Sequence, residues 1–143
     1  MSNGISISRS IVINAPSSTV WHALTDPAIV KQYMFGTDMT AEWRVGGRIT
    51  YRGEWQGQSY EDGGTILALE PGRYLKATYW SSMSGTENTP ENQLIIINEL
   101  ADEAGGTRLT ITQENNKTTE TAEHSGSNWQ MILEAIKKIC EAQ

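Results

Sequence analysis

The chain of 143 residues has little cysteine, little proline and no long apolar run. Its one cysteine, Cys140, cannot form an internal disulfide, and no Cys/His cluster has the spacing of a zinc site. The longest apolar run, residues 94–97, is far shorter than the ~20 residues of a membrane span. The N-terminus shows neither the basic nor the apolar region of a secretory signal. We therefore expect a cytoplasmic protein with no metal and no cofactor.

Positive charge is also scarce. Eleven Lys and Arg residues stand against 17 Asp and Glu residues, which gives a formal net charge of −6. The basic residues are scattered and never form a run longer than Lys137-Lys138. Nucleic acids and anionic membranes are bound by clustered Lys or Arg. The sequence therefore predicts that neither is a partner.

Aromatic residues and glycine are, in contrast, well represented. Five Trp and five Tyr accompany a single Phe. Trp and Tyr combine a large apolar body with a polar group, a combination that suits the wall of a ligand cavity. Thirteen glycines fit a chain with many tight turns between strands. The length indicates a single domain over residues 1–143 with one hydrophobic core.

The N-terminal pattern predicts one strand and two short helices. Isoleucines at positions 5, 7, 11 and 13 alternate with other residues, as in a strand with one buried face. Arg9 interrupts the apolar side and must reach an edge or a partner. A helix start follows at Pro16. A second short helix begins at Asp26-Pro27 and ends near Gly36.

The middle of the chain predicts further strands, joined by turns. Residues 48–55 have the alternation of a strand, with their side chains on two opposite faces. Gly63-Gly64 then introduces a strand over residues 65–70. Strands over 74–80, 93–100 and 107–115 complete the series, with a spacing that is typical of an antiparallel meander. The polar segment 81–91 is interpreted either as a solvated loop or as a mobile lid.

The C-terminal segment has a helical pattern. Trp129, Ile132, Leu133, Ile136 and Cys140 recur with helical spacing over three turns. The helix starts either at a capping box formed by residues 127 and 130 or earlier, near residue 119, with residue 126 as a weak point. The prediction is an α+β fold: a curved antiparallel sheet of six or seven strands wraps around a long C-terminal helix, with two short helices after the first strand.

Several short motifs occur in a characteristic order along almost the whole chain. They are Ile13–Pro16, Val20–Pro27, Trp43–Gly47, Gly64–Ile66, Leu69–Pro71, Gly106–Leu109 and Asn128-Trp129. With them the chain resembles the START-like superfamily, also called helix-grip or SRPBCC. Within it, the chain looks like the branch named for the C-terminal domain of the activator of Hsp90 ATPase. The resemblance implies a helix-grip fold, often with a ligand cavity. It does not imply one function, because the superfamily includes lipid carriers, hormone receptors and polyketide cyclases.

A set of mostly aromatic residues is predicted to line a cavity between the sheet and the last helix. These ligand-binding candidates are Tyr33, Phe35, Tyr51, Trp55, Tyr79, Asn98, Gln113, Trp129 and Leu133. The alternative is that the aromatic residues simply fill the core. The two amides are in phase with apolar neighbours, so they bond either a ligand or a structural partner. All facing assignments depend on strand register.

No residue constellation identifies a catalytic site, so the catalytic residues remain unknown. His22 and His124 are the candidates for proton transfer at neutral pH. Glu54, Glu61 and Asp62 lie beside the aromatic strands, and an apolar pocket could raise the pKa of such a carboxyl. Such residues are more often solvated.

Three function hypotheses follow. Binding of a small apolar or aromatic molecule is favoured. An enzyme of the cyclase or hydrolase type would use the same cavity, and it predicts that a histidine or glutamate projects into the cavity. A module that interacts with an Hsp90-type chaperone predicts instead an exposed apolar or strongly charged patch on an otherwise filled domain.

Overall fold

The computed structural model describes residues 4–143. Within this range the chain forms seven strands and three α-helices. In chain order they are β1 (Ile5–Ile13), α1 (Ser17–Thr25), α2 (Pro27–Tyr33), β2 (Asp38–Ala41), β3 (Arg48–Trp55), β4 (Gln58–Glu70), β5 (Tyr74–Tyr79), β6 (Leu94–Glu103), β7 (Gly106–Asn116) and α3 (Thr119–Glu141). A short 3₁₀ turn over Pro90–Asn92 precedes β6. No helix in residues 4–143 is long and apolar enough to cross a membrane.

The strands form one antiparallel sheet, in the order β1-β7-β6-β5-β4-β3-β2. Helix α3 covers its inner face, where Leu133 and Ile136 are fully buried in one cluster with Ile13, Ile66 and Leu109. Burial of this apolar surface is the main stabilising contribution to the fold. The predicted α+β helix-grip architecture is confirmed.

The short helices follow the start signals in the sequence. The Asp26 carboxylate accepts a hydrogen bond from the Ala28 N–H at 3.3 Å, and Pro27 occupies the first turn of α2. This position suits proline because its missing N–H has no partner there in any helix. Val20 of α1 and Val30 of α2 are buried in the core cluster. The two helices thereby add to the apolar wall beside α3.

Strand β4 differs from the prediction, because it begins at Gln58 and runs through Gly63 and Gly64. A Cβ atom at Gly64 would lie 1.9 Å from the Thr78 carbonyl oxygen of β5, and one at Gly63 would lie 2.2 Å from the Ile49 carbonyl oxygen of β3. These glycines therefore permit close approach of neighbouring strands, rather than forming a turn.

Helix α3 begins at Thr119, the earlier of the two expected starts. The Thr118 hydroxyl accepts a hydrogen bond from the Thr121 N–H at 3.0 Å, as part of a capping box. Gly126 is within the helix, and a Cβ there would lie 2.8 Å from Nη2 of Arg9. Arg9 therefore crosses α3 at the glycine. Its guanidinium lies 3.5 Å from the Glu123 carboxylate, which is the partner that the sequence required.

Candidate functional site

A cavity of about 320 Å³ lies between α3 and the inner face of the sheet. Its walls come from all three helices and from strands β2, β3, β5, β6 and β7. Phe35 and Trp43 line it while being 74% and 38% exposed, and Asn128 of α3 is also exposed. These three residues therefore mark its mouth. The remaining lining is predominantly aliphatic and aromatic.

The structure brings most of the predicted site residues to this cavity. The lining includes Tyr33, Phe35, Tyr51, Tyr79, Asn98, Gln113 and Trp129. Phe35 differs from the others, because it lies in the turn after α2 with a φ of 57° and is largely exposed. It belongs to the mouth rather than to the inner wall.

Two predicted site residues lie outside the cavity. Trp55 shares the strand face of Tyr51, but it is the last residue of β3, at the tip of the hairpin, and is 59% exposed. The strand thus continues past the end of the cavity. Leu133 is fully buried in the core cluster. The apolar stripe of α3 is wide, and Ile132 and Ile136 border the cavity while Leu133 does not.

Sequence reasoning missed several lining residues. Met39 belongs to β2, a four-residue strand too short to show a periodic pattern. Trp43 lies in the loop after β2, where no periodicity applies. Ile96 of β6 and Ile111 of β7 are each two residues from one of the two amides, so strand alternation alone assigns them to the same face and to the site.

Two tyrosines pack against each other in the wall. The rings of Tyr51 and Tyr79 meet edge to face, with centroids 5.9 Å apart and planes inclined at 61°. The Tyr79 hydroxyl donates a hydrogen bond to Oδ2 of Asp62 at 2.9 Å. Oδ1 of Asp62 accepts from the Ser82 N–H at 2.9 Å and from the Ser82 hydroxyl at 3.1 Å. Asp62 is therefore buried and orients Tyr79, in contrast to the solvated state expected for it.

The segment after β5 is anchored through the same contacts. Ser82 bonds Asp62, and its hydroxyl also accepts a hydrogen bond from the Glu61 N–H at 3.1 Å. No residue of segment 81–91 lines the cavity. The structure thus gives this segment the position of a loop beside the sheet rather than that of a cover.

The two predicted polar residues of the wall have different surroundings. Oε1 of Gln113 accepts a hydrogen bond from the Trp129 indole N–H at 2.9 Å, and Nε2 donates to Oδ1 of Asn116 at 2.6 Å. Both ends of the Gln113 amide are engaged, so its structural role is clear. The side-chain amide of Asn98 forms no hydrogen bond with any other group of residues 4–143. Its oxygen and nitrogen atoms are not enclosed by protein. It therefore faces the open space of the cavity.

A comparison with known families agrees with this architecture. The model of the family described as activator of Hsp90 ATPase homolog 1-like protein matches residues 14–141. The chain belongs to this family. The predicted branch of the START-like superfamily is thereby confirmed.

Solved structures of similar proteins share the fold of this family member. The solution structure of ChR145 from Cytophaga hutchinsonii has a TM-score of 0.86 and 38% identity, over 99% of this chain and 97% of that one. CV1439 from Chromobacterium violaceum has a TM-score of 0.76 and 24% identity, over 95% and 96% of the two chains. The Aha1 dimer from Colwellia psychrerythraea has a TM-score of 0.74 and 21% identity, with 96% of each chain covered. The last two similarities show the fold alone. No curated protein matches the chain significantly.

The ionisable groups in the cavity of this family member are tyrosine hydroxyls. Burial raises the pKa of Tyr51 to about 12. Burial also raises the pKa of Tyr33, whose hydroxyl donates to the Ala23 carbonyl at 2.9 Å. For Tyr79, burial and then the Asp62 carboxylate raise the pKa. All three hydroxyls therefore stay protonated and neutral around pH 7.

The groups considered for catalysis lie elsewhere. His22 is exposed, with Nε2 3.3 Å from the Asp26 carboxylate, and His124 is exposed on α3. Glu54 and Glu61 are exposed on the hairpin, where Glu61 pairs with Arg52 at 2.9 Å. Cys140 is buried, and burial raises the pKa of its thiol. Within residues 4–143, no cluster of His, Cys, Asp and Glu suits a metal ion.

Proposed function

We propose that this protein binds a small apolar or aromatic molecule in the cavity between the sheet and α3. The observation that carries the proposal is the unfilled volume of about 320 Å³ next to a packed core. Ligand sites in proteins commonly measure roughly 300–1,000 Å³. An apolar cavity of about 150 Å³ accommodates benzene. The volume is thus adequate for a molecule of about two fused rings.

The chemistry of the wall supports the same ligand class. The lining consists of aliphatic and aromatic side chains with a few uncharged polar groups, and it contains no Asp, Glu, Lys, Arg or His. The Tyr51 and Tyr79 rings are held edge to face, and the indole of Trp129 is held by Gln113. Rigid aromatic surfaces of this kind favour flat apolar molecules. An ionised ligand would lose its hydration without gaining a partner of opposite charge.

The proposal is tested by filling the cavity. Ala77 of β5 is buried and lines the cavity, so Ala77→Phe places a ring in the ligand's position. We expect this variant to bind 6-propionyl-2-(dimethylamino)naphthalene, a neutral dye with two fused rings, at least about tenfold more weakly than the wild type, which corresponds to a loss of ~1.4 kcal/mol of binding free energy. The measurement is a fluorescence titration of the dye.

Ala101→Phe is the matched control. Ala101 is exposed on β6, so this substitution makes the same chemical change outside the cavity. Its affinity for the dye should equal that of the wild type. Equal binding by all three proteins would show that the dye binds elsewhere, and no binding by the wild type would count directly against the proposal.

A second candidate is interaction with an Hsp90-type chaperone, favoured by the description of the matching family. The exposed aromatic residues at the mouth, Phe35 and Trp43, are available to a protein partner. Stimulation of the ATPase of such a chaperone by the wild type, and its loss in a Phe35→Ser variant, would support this function.

We also propose, as expected from the sequence, that the protein is cytoplasmic and that nucleic acid is not a partner.

A further inference from the structure

We infer that the cavity selects a neutral ligand of about two rings that carries one carbonyl or hydroxyl group, and that the Asn98 amide binds this group. The inference rests on the proposed function and specifies the chemistry of its ligand. It depends on the side-chain amide of the cavity floor that bonds no other group of residues 4–143.

Asn98 lies on the floor of the cavity, in the middle of β6. Its neighbours across the sheet are Leu75 of β5 and Ile111 of β7, which are 6% and 2% exposed. These neighbours are buried, so the exposed part of the Asn98 side chain faces the cavity. A polar group in such surroundings costs free energy until it finds a hydrogen-bond partner.

The amide offers both a donor and an acceptor. The N–H group binds a carbonyl oxygen, and the amide oxygen binds a hydroxyl. The other amide of the floor, Gln113, is already bonded at both ends by Trp129 and Asn116. The Gln113 side chain is therefore not free for a ligand, so of these two amides Asn98 is the one that can bind a polar group.

The rest of the cavity wall disfavours a charged ligand. Among residues 4–143, no cationic or anionic side chain lines the cavity, and the tyrosine hydroxyls are protonated at neutral pH. A carboxylate ligand would be desolvated without a counter-charge. An apolar ligand without a polar group would bind, but it would leave the Asn98 amide unpaired. A few positioned polar groups in an apolar pocket are the usual source of orientation and specificity.

The test compares three ligands that share one fused ring system: naphthalene, acetylnaphthalene and naphthoate. Their dissociation constants are measured at neutral pH with the wild type, with Asn98→Leu and with Asn14→Leu. Asn98→Leu removes the amide at nearly constant size. Asn14→Leu is the control, because Asn14 is exposed outside the cavity and undergoes the same chemical change. Unfolding curves confirm that each variant is folded.

In the wild type we expect acetylnaphthalene to bind more tightly than naphthalene and naphthoate to bind at least about a hundredfold more weakly than acetylnaphthalene. Asn98→Leu should reduce the preference for acetylnaphthalene over naphthalene by about fivefold to tenfold, as expected for one neutral hydrogen bond. Asn14→Leu should leave the preference unchanged.

An unchanged preference in Asn98→Leu would overturn the inference, even when naphthalene still binds and the proposed function stands. The Tyr51 hydroxyl is another wall group without a hydrogen bond among the described residues. A preference that is lost in Tyr51→Phe but kept in Asn98→Leu would transfer the recognition to Tyr51. Tight binding of naphthoate would refute the neutral ligand class. Binding of none of the three ligands would count against the proposed function as well.

Discussion

Two amide side chains on the floor of the cavity, Gln113 and Asn98, share the strand face of apolar residues. They differ in what they contribute to the stability of the fold. Gln113 connects Trp129 of α3 with Asn116, which in turn donates to the Ile5 carbonyl at 2.7 Å. The Asn98 amide bonds no group of residues 4–143. Only the first amide contributes hydrogen bonds to stability.

We expect Gln113→Leu to lower the free energy of unfolding by about 2–3 kcal/mol, because it removes the acceptor of the Trp129 indole N–H and the donor to Oδ1 of the buried Asn116. Asn98→Leu has the same change of polarity but breaks no hydrogen bond, so its effect should stay within about 1 kcal/mol. Urea unfolding of the two variants checks this. Equal destabilisation would contradict the assignment of the two amides.

For single residues, the sequence predicts which side chains face the interior but not which groups they contact. The phase of Tyr51, Tyr79, Asn98 and Gln113 followed from alternation along their strands, and the structure places all four at the cavity. The partner of Gln113 depends on the position of α3 over β7, which no local pattern encodes. Trp55 was assigned to the correct strand face but is exposed, because alternation does not show where a strand extends beyond the core.

Among the elements, β4 connects the two halves of the sheet, since it pairs with β3 over its first part and with β5 over its last. Its glycines stand where the chain crosses from one pairing to the other. At Gly64 a Cβ would meet the Thr78 backbone, whereas at Gly53 of β3 it would meet the Tyr60 side chain, 2.4 Å from the hydroxyl. A backbone cannot move aside, but a tyrosine ring can.

Gly64→Ala should therefore lower the free energy of unfolding by about 3 kcal/mol or more, because β4 and β5 must separate. Gly53→Ala, also within a strand, should cost only about 1 kcal/mol, since Tyr60 can turn away at the expense of its 2.6 Å hydrogen bond with Thr37. Thermal or urea unfolding distinguishes the two. A mild effect at Gly64 would mean that the strands are less closely apposed there than the geometry indicates.

The long elements were predictable because their periodicity is sustained, as in β1, β7 and α3. Strand β2 was missed because four residues carry too little pattern. The Gly63-Gly64 pair predicts the start of a strand rather than its interior, because local sequence cannot distinguish a glycine that bends the chain from one that admits a neighbouring strand.

For the molecule as a whole, three tyrosines on α2, β3 and β5 couple stability to alkaline pH. The folded-state pKa of Tyr51 is about 12, and those of Tyr33 and Tyr79 are raised as well. In the unfolded chain a tyrosine has a pKa of about 10. Above that pH the unfolded state binds fewer protons than the folded state, so stability is complete below about pH 10 and falls as the pH rises toward the folded-state values.

We expect Tyr51→Phe to make this decline shallower, by up to about 1.4 kcal/mol for each pH unit between about 10 and 12. The measurement is the free energy of unfolding of the variant and of the wild type across that interval. Parallel declines of the two proteins would show that the Tyr51 hydroxyl ionises as readily in the folded state as in the unfolded chain.

Native mass spectrometry shows whether the space between α3 and the sheet holds a ligand. The gently purified wild type and Ala77→Phe are compared, before and after addition of acetylnaphthalene, and any released molecule is identified. We expect a neutral small molecule in a one-to-one complex with the wild type and none with Ala77→Phe. A wild-type protein that stays unliganded in both conditions would show that this space is not a ligand site.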